Sequence, residues 1–442
     1  MMRHSSSKRL SRTLSVCAAF AMAASLAACS TPGGVGQQSS DSSSESSQSL
    51  GIQGDRTGKE ILIYMSAGRD YKAYTDTFAA FEKEHNVKIN VQYYQWGDLQ
   101  QKLTADFLSG QTPDLVEENG GWWSTRWGAD GNIMSLDPFL QKESGFLDDF
   151  VESGLANRQA DGKTYGIPLH VTMGGLVFGN KEMMDKAGVT MPKTWDELRE
   201  ASKKIQESGV EYGLALNNDA SYTVPFLMQA GVTFTKDGNE PMTPAAKATE
   251  AMQFQYDLIY KDKLAPVPVA SNDYAAPRKV FTSKRAGFIL TGPWDISAVR
   301  KEDPNFPLTV GEPLKGDVQK TYLAGSGMMI PSKSQNAELA WQLIKDMTSL
   351  KVQEAVTAET GMAMSRKSWA NSDVVKNDPI LSVVAKSREF AATPDKAFWG
   401  NENAAKISDA RKVMYEEIIL NGKDPAAQVQ TYETTVAGLL KQ

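Results

Sequence analysis

Few residues of this sequence could support metal or nucleophilic chemistry. The 442-residue chain contains two cysteines, Cys17 and Cys29, and three histidines, of which only His85 and His170 lie beyond the cysteine-bearing N-terminal segment. Ser326 lies in Ala-Gly-Ser-Gly, which lacks the G-x-S-x-G frame of a nucleophile elbow. The sequence therefore predicts no disulfide, no metal site and no cofactor, and it argues against nucleophilic catalysis.

Cys29 is the exception, because its surroundings predict a covalent modification. Four basic residues precede an apolar run, Leu14–Ala24, that is too short to span a bilayer. The following Leu26-Ala27-Ala28-Cys29 matches the bacterial lipobox, L-[AS]-[AG]-C. The order of these parts resembles the signal of an exported lipoprotein, so we predict a signal peptide over 1–28 and acyl chains on Cys29. The alternative is an ordinary cleaved signal peptide with a chance cysteine.

The composition after the signal argues against several classes of partner. The full chain carries a net charge of −6, and removal of the four basic signal residues makes the mature chain about −10. Such an acidic chain is a poor candidate for nucleic-acid binding. Residues 29–57 are rich in Ser, Gly and Gln and predict a flexible tether, since they cannot bury enough apolar surface to offset their ordering entropy. The remaining residues are numerous enough for two domain-sized cores.

The spacing of apolar residues then predicts the elements of these cores. An apolar run at Ile61–Met65 and an alternating run from Val87 to Tyr93 indicate strands, and each is followed by residues at helical spacing. Gly110 is placed to end the second helix, and Leu115-Val116 predicts a third strand. This order favours a mainly parallel sheet flanked by helices, in which ligands gather beyond the carboxyl ends of strands.

Further along the chain, Thr194 and Glu197 form a capping-box pattern that predicts a helix running to Ser208. From about Leu339 the pattern is mostly helical, with apolar residues on one stripe. No internal repeat with a fixed period is evident.

Six motifs in a fixed order carry a family resemblance. They are Tyr93–Trp96, Thr112–Leu115, Gly166–Pro168, Asn180–Lys181, Pro192–Leu198 and Phe281–Trp294. Together they resemble the solute-binding proteins of ATP-binding-cassette sugar importers, the group that includes maltose-binding protein. The likeness extends from about Glu60 to the C-terminus.

The resemblance implies an α/β fold of the periplasmic-binding-protein-like type II, with two lobes that close on a ligand. Carried over, one lobe comprises 58–169 with 290–330, and the other comprises 170–289 with 331–442. It also implies a carbohydrate ligand, the permease subunits of an importer as partner, a membrane attachment through the lipid, and a monomer. The protein is then expected to lie on the outer face of the cytoplasmic membrane.

Aromatic rings suit the apolar faces of sugars, so the nine tryptophans supply the first site candidates. Trp294 ends the Thr-Gly-Pro-Trp motif, where the family delivers an aromatic ring to the cleft, and Trp399 falls where relatives place a stacking ring. Trp96 and either Trp122 or Trp123 follow strand ends. Trp195 and Trp341 are predicted to pack in the core, and Trp127 and Trp369 are left open between a structural role and the cleft.

Polar side chains with two hydrogen-bonding atoms suit the hydroxyl rim of a sugar. The candidates are Ser66, Arg69, Glu118, Asn119, Thr172, Asn217, Tyr222 and Asn401. His170 is predicted to be a hydrogen-bonded structural residue. The segment Ser66–Arg69 is less acidic than the matching loop of maltose-binding protein, which leaves the identity of the ligand open.

Two other functions remain open from the sequence. An exported glycoside hydrolase would also carry tryptophans in a cleft, but it needs two carboxylates at a set separation, and no motif selects such a pair. Alternatively, the same fold could bind a solute that is not a sugar.

Overall fold

A computed structural model of the chain describes residues 55–234, 245–269, 275–394, 396–399 and 401–441. The predicted signal peptide, Cys29 and most of the tether lie outside the described residues. Among the described helices, none combines the length and the apolar character needed to cross a membrane.

The strands are short and mostly buried. They are β1 (Glu60–Ser66), β2 (Lys88–Tyr94), β3 (Leu115–Asn119), β4 (Gln159–Ala160), β5 (Lys163–Thr164), β6 (Ile167–Met173), β7 (Leu176–Asn180), β8 (Tyr212–Ala215), β9 (Ala286–Thr291), β10 (Leu308–Val310), β11 (Thr321–Met329) and β12 (Ala391–Ala392).

The α-helices alternate with these strands in the first part of the chain and dominate the last part. They are α1 (Lys72–His85), α2 (Trp96–Ser109), α3 (Trp122–Ala129), α4 (Asp137–Leu140), α5 (Glu152–Ala156), α6 (Lys181–Ala187), α7 (Trp195–Glu207), α8 (Val224–Gln229), α9 (Ala245–Tyr256), α10 (Ala275–Thr282), α11 (Trp294–Glu302), α12 (Ala337–Met347), α13 (Leu350–Thr360), α14 (Asp373–Lys376), α15 (Pro379–Ser387), α16 (Ala404–Tyr415) and α17 (Pro425–Leu440).

Two separate sheets define two lobes. The six-stranded lobe is built on the order β12-β11-β3-β1-β2, with β6 also paired to β11, and the four-stranded lobe is built on the order β10-β7-β9-β8. The predicted α/β fold with two lobes is therefore confirmed. The sheets are more mixed than the predicted mainly parallel ones, because β11 runs antiparallel to β3 and β6, and β7 runs antiparallel to β9 and β10. These strands belong to chain segments that cross between or return to the lobes, so they enter a sheet against the direction of the strand-helix-strand units.

The lobes also divide the chain differently from the predicted boundaries. Leu308–Val310 pairs with β7 and thus belongs to the four-stranded lobe, although 290–330 was assigned to the other lobe. Conversely, α12 and α13 pack on α1 of the six-stranded lobe, although 331–442 was assigned to the four-stranded one. An apolar stripe shows that a helix is buried but does not show which lobe buries it.

The predicted local signals are found where they were expected. The hydroxyl of Thr194 accepts the backbone N–H of Glu197 at 3.2 Å, and the Glu197 carboxylate accepts the N–H of Lys193 at 2.7 Å. Gly110 ends α2 with a left-handed φ of 74°. Trp195 and Trp341 are 8% and 2% exposed and lie in two different apolar clusters, so both pack in the core as predicted.

Candidate functional site

A cleft of about 460 Å³ lies between the two lobes. Six aromatic side chains line it: Trp96, Trp122, Tyr222, Trp294, Tyr322 and Trp399. The remaining lining residues are Asn119, Gly120, Asp219, Ser221, Val224, Leu323, Ala324, Thr393, Pro394 and Arg411. Trp96 and Trp122 belong to the six-stranded lobe, whereas Tyr222 and Arg411 belong to elements packed in the four-stranded lobe.

Three of these tryptophans occupy the same position in the chain. Trp96, Trp122 and Trp294 are each the first residue of a helix that follows a strand, namely β2, β3 and β9. A side chain at this position lies beyond the carboxyl end of its strand, which is where open α/β sheets gather ligands. None of the three helices has a side-chain cap at its N-terminus, so their first backbone N–H groups lack an intrahelical partner near the cleft.

The tryptophans of α3 divide between the cleft and the core. Trp122 is half-buried and lines the cleft, whereas Trp123 is only 2% exposed. Trp123 packs edge-on against both Trp96 at 5.8 Å and Trp122 at 6.4 Å, measured between ring centroids. Trp127, at 6.4 Å from Trp122, completes this group. The two cleft rings are therefore supported from behind by buried aromatic rings.

On the opposite wall, Tyr222 and Trp294 meet edge to face. Their ring centroids lie 6.4 Å apart with an interplanar angle of 79°. Burial raises the pKa of the Tyr222 phenol well above its ordinary value, so this group remains a neutral hydroxyl at physiological pH. Such a hydroxyl can both donate and accept a hydrogen bond.

The polar rim of the cleft combines amide, carboxylate, hydroxyl and guanidinium groups. Asp219 is the only carboxylate among the cleft-lining residues that the structure describes. Its carboxylate accepts the backbone N–H of Ser221 at 2.8 Å and also the Ser221 hydroxyl. Among the described residues, no group of His, Cys, Asp and Glu is arranged to hold a metal ion.

Comparison with known families identifies the group to which this two-lobed molecule belongs. Residues 66–354 match the family described as bacterial extracellular solute-binding protein. The chain is a member of this family. The predicted family resemblance is thus confirmed.

Individual members of the solute-binding family are distant in sequence but similar over most of their length. The galactooligosaccharide-binding protein of Bacillus subtilis is 26% identical over 390 residues, which is 86% of this chain and 86% of that protein. The maltotriose-binding protein of Pyrococcus abyssi is 22% identical over 362 residues, covering 78% and 74% of the two chains. The GacH receptor of Streptomyces glaucescens, solved unliganded and with acarbose, superposes with a TM-score of 0.78 at 21% identity, covering 87% of this chain and 99% of that one.

The structure places half of the predicted site residues on the lining of the cleft in this solute-binding protein. These six are Trp96, Asn119, Trp122, Tyr222, Trp294 and Trp399. The other six do not line it: Ser66, Arg69, Glu118, Thr172, Asn217 and Asn401.

Ser66 and Arg69 both contact Glu117, which is fully buried on β3. The backbone N–H of Ser66 donates to one carboxylate oxygen at 3.0 Å, and Nε of Arg69 donates to the other at 3.1 Å. Glu118 is also fully buried, with its carboxylate directed at Arg158 and at the backbone N–H of Gly121. Burial raises the pKa of the Glu118 carboxyl, against the opposing effect of the Arg158 charge.

The remaining three lie behind the cleft wall. Thr172 is buried on β6, where it pairs with the cleft residue Ala324. The carbonyl of Asn217 accepts the Tyr415 hydroxyl at 2.8 Å, and its side chain accepts the N–H of Asn218. The side chain of Asn401 accepts the N–H of Asn403 at 2.8 Å.

A buried hydrogen-bonded chain crosses the six-stranded sheet where β6 and β11 pair. Nε2 of His170 lies 2.8 Å from the Tyr74 hydroxyl, and Nδ1 lies 2.8 Å from the Ser326 hydroxyl. Ser326 donates to Glu117 at 2.6 Å, so it can accept from Nδ1, and Nε2 is left to accept from Tyr74. This order assigns the neutral tautomer with the proton on Nδ1. His170 is thus the hydrogen-bonded structural histidine that the sequence predicted.

The surroundings of this hydrogen-bonded network lower the pKa values of both His170 and Glu117. Burial and the neighbouring Arg69 lower the pKa of His170 from 6.5 to about 4, although Glu117 opposes this. Burial alone would raise the pKa of Glu117, but Arg69, His170 and Ser326 together lower it to about 2. The network therefore contains an ionised Glu117 and a neutral His170 at neutral pH.

Several cleft residues were not predicted from the sequence. Tyr322 lies on β11, and Thr393 and Pro394 follow β12, which pairs with β11 across a long stretch of sequence. Arg411 lies on α16 within a helical pattern that gives no sign of a ligand. Asp219 and Ser221 carry a local signal, because Asp-x-Ser is typical of a turn and here follows β8 by a few residues.

Proposed function

We propose that this protein is a non-catalytic receptor that captures a carbohydrate, specifically an oligosaccharide, and delivers it to an ATP-binding-cassette importer. The observation that carries this proposal is the set of six aromatic side chains around one cleft between two lobes. Relatives named for galactooligosaccharide, maltotriose and arabinooligosaccharide binding support the same ligand class.

The chemistry of the cleft suits a neutral sugar. The indole rings offer flat apolar surfaces for the C–H faces of sugar rings. Asn119, Asp219 and Arg411 offer planar groups with paired donors or acceptors for hydroxyls at the ring edge. A ligand that both stacks on the aromatic rings and hydrogen-bonds to the polar groups must lie within the cleft.

The mechanism that follows is lobe closure. A sugar seated between Trp122 and Tyr222 contacts both lobes, so it stabilises the closed arrangement by the contacts that only this arrangement provides. The closed shape is what the permease subunits would recognise.

Attachment to the outer face of the membrane is proposed from Cys29 alone. The lipobox and the tether predict a lipid-anchored monomer whose folded part can rotate near the permease. Mass spectrometry of the native N-terminus should show a diacylated or triacylated Cys29, whereas an unmodified N-terminus or a start at another residue would contradict the anchor.

The hydrolase alternative receives no support from the cleft. A glycosidase needs two carboxylates that flank one bond. Among the described lining residues, Asp219 is the only carboxylate. Glu117 and Glu118 are buried and each is paired with an arginine.

A thermal-shift panel tests the function. Maltotriose, galactooligosaccharides and arabinooligosaccharides form the sugar arm, and glycerophosphocholine, which a structural neighbour from Mycobacterium tuberculosis binds, forms the non-sugar arm. A sugar at a hundred times its Kd should add about 2.7 kcal/mol to the free energy of unfolding. Stabilisation by glycerophosphocholine and by none of the sugars would indicate that the ligand is not a sugar. Release of shorter sugars during incubation would favour the hydrolase.

A further inference from the structure

The turn between β3 and α3 determines where the ring of Trp122 lies. This turn consists of Gly120 and Gly121, and both glycines have left-handed backbone, with φ of 77° and 102°. Trp122 follows directly as the first residue of α3. Since the side chain leaves a fixed backbone position, any movement of the turn moves the ring relative to the cleft.

A buried ion pair lies immediately beneath this turn. One oxygen of Glu118 accepts the N–H of Gly121 at 2.6 Å, and the other lies 2.5 Å from Nη2 of Arg158. The side chains of Glu118 and Arg158 are 0% and 3% exposed. The second guanidinium nitrogen, Nη1, donates to the carbonyl of Gly154 at 2.7 Å, which fixes the arginine to α5. Glu118 therefore joins the turn to a charge that is itself held in place.

Close packing leaves the turn little freedom. A Cβ added to Gly327 on β11 would lie 2.1 Å from Nε of Arg158, and one added to Gly121 would lie 2.4 Å from the carbonyl oxygen of Asn157. The carbonyl of Gly325 accepts the N–H of Gly120 at 3.0 Å. The backbone of β11 therefore packs closely against Arg158, and the backbone at Asn157 packs closely against the turn.

We propose that Glu118 and Arg158 are positioning residues of the binding site, which fix the Gly120–Gly121 turn and thereby aim the Trp122 ring into the cleft. The consequence for affinity rests on the proposed carbohydrate function, whereas the consequence for the ring does not. Glu118 thus acts on the site through the backbone and does not touch the ligand.

The charge on Arg158 is what makes this arrangement possible. A carboxylate accepts a backbone N–H more strongly than a neutral acceptor does. A carboxylate buried without a partner charge, however, would protonate or draw in water. Glu118 can hold the turn as an ionised acceptor only while Arg158 lies beside it.

The first experiment needs no ligand. Protein labelled with 5-fluorotryptophan should give fluorine signals from nine tryptophans, and the signal lost in Trp122→Phe assigns Trp122. Arg158→Met and Glu118→Gln should both shift or broaden the Trp122 signal, while the signals of Trp341 and Trp369 stay in place. If Arg158→Met does not fold, Glu118→Gln decides alone. An unchanged Trp122 signal in folded Glu118→Gln protein overturns the proposal.

The matched control is Arg56→Met. Arg56 forms a comparable buried ion pair with Asp114 in the same lobe, but at the opposite end of β3, away from the cleft. This variant should lower the melting temperature and leave the Trp122 signal unchanged. A similar change of the Trp122 signal in Arg56→Met would show that general loosening of the lobe, rather than the turn, moves the ring.

The second experiment measures affinity for maltotriose by calorimetric titration. Arg158→Met should weaken binding about tenfold in the parent protein but less than about twofold in a Trp122→Ala background, because the two residues act through one ring. An equal loss in both backgrounds overturns the proposal. If neither maltotriose nor any other sugar of the panel binds the parent protein, the carbohydrate function fails, and the fluorine spectra still decide the positioning role.

Discussion

At the scale of single residues, tryptophans with similar sequence contexts have different roles. Trp294 is half-buried, lines the cleft and meets Tyr222 edge to face. Trp195 is also the first residue of a helix, but its ring stacks on Phe254 at 4.9 Å and its indole N–H donates to Gln229 at 2.7 Å. Position at a helix start is therefore not sufficient for a place in the cleft. The helices of the three cleft tryptophans each follow a strand, whereas α7 follows another helix, α6.

Trp294→Ala should weaken sugar binding, whereas Trp195→Ala should mainly destabilise the fold. Loss of a stacking ring from the cleft should cost roughly 1–3 kcal/mol of binding free energy. Truncation of the buried Trp195 should cost about 3–5 kcal/mol of unfolding free energy. Calorimetric titration and thermal melting of both variants separate these losses. Normal affinity in Trp294→Ala protein that melts lower would make Trp294 a structural residue.

Buried His170 should give the protein an acid-sensitive stability. Its folded pKa of about 4 lies below the ordinary 6.5, so between these values the unfolded chain binds more protons than the folded one. Stability should therefore fall as the pH is lowered from 6.5 to about 4, by up to about 1.4 kcal/mol per pH unit. Below pH 4.5, protonation of Glu117, whose folded pKa is about 2, should add to the loss.

His170→Gln removes the titrating group but keeps a polar side chain beside Ser326. Urea denaturation of this variant between pH 6.5 and 4 should show a shallower decline of stability than the parent protein shows. Parallel declines in the two proteins would mean that other groups cause the acid sensitivity.

At the scale of elements, the close pairing of β6 and β11 requires a glycine on β11. Gly325 has a φ of 129°, and a Cβ there would lie 2.1 Å from the carbonyl oxygen of His170 on β6. Gly325→Ala should therefore destabilise the protein by more than about 1 kcal/mol, since both the backbone conformation and the close approach are incompatible with a side chain. Chemical denaturation measures the change.

Gly68→Ala provides the matched control for this prediction. Gly68 also has a left-handed φ, of 79°, but a Cβ there meets nothing within 4 Å. Its substitution should cost only the backbone strain, and thus less than the substitution of Gly325. Equal losses of stability in the two variants would mean that the close approach of Gly325 to β6 adds nothing to the cost of the substitution.

The elements that were easiest to predict are those with a strong local pattern. Each of these patterns is contained within a few residues of sequence. Examples are the alternation in β2, the four-residue spacing of Leu99, Leu103 and Phe107 in α2, and the helix cap at Thr194. The lobe that receives α12 and α13 was not predictable in this way. Their apolar stripe is satisfied equally by either core, and only the tertiary packing on α1 decides between them.

The same limit explains which site residues were found. Trp96 and Trp122 were predicted from the general rule for ligand sites in α/β sheets and Trp294 from the family motif, and all three line the cleft. Glu118 precedes the end of β3, but its partner Arg158 lies 40 positions further along the chain, on a segment with no motif. Ser326, which binds the neighbouring Glu117, is 209 positions away. Pairings of such separation cannot be read from local spacing, which is why Glu118 was predicted as a ligand contact although it does not line the cleft.

At the scale of the whole molecule, the cleft lies between two lobes that each have an apolar cluster of their own and share a third cluster with residues of both sheets. Trp123 and its neighbours form a cluster in the six-stranded lobe, while Trp195 and Phe226 lie in a cluster of the four-stranded lobe. Between them, chain segments such as β6 followed by β7 connect the two sheets. Lobes connected in this way can change their relative orientation by hinge motion at the connecting segments together with small sliding of the packed elements that they share.

Binding of a sugar should therefore make the molecule more compact. Small-angle scattering with saturating maltotriose should show a smaller radius of gyration than scattering without it, because a ligand that contacts both lobes favours the closed arrangement by its differential affinity. Trp294→Ala at the same maltotriose concentration is the control, since it removes a cleft contact and should leave the radius close to that of the unliganded protein. A parent protein that binds maltotriose by calorimetry but keeps its radius would bind the sugar on one lobe alone, and closure would then not be the signal that a permease reads.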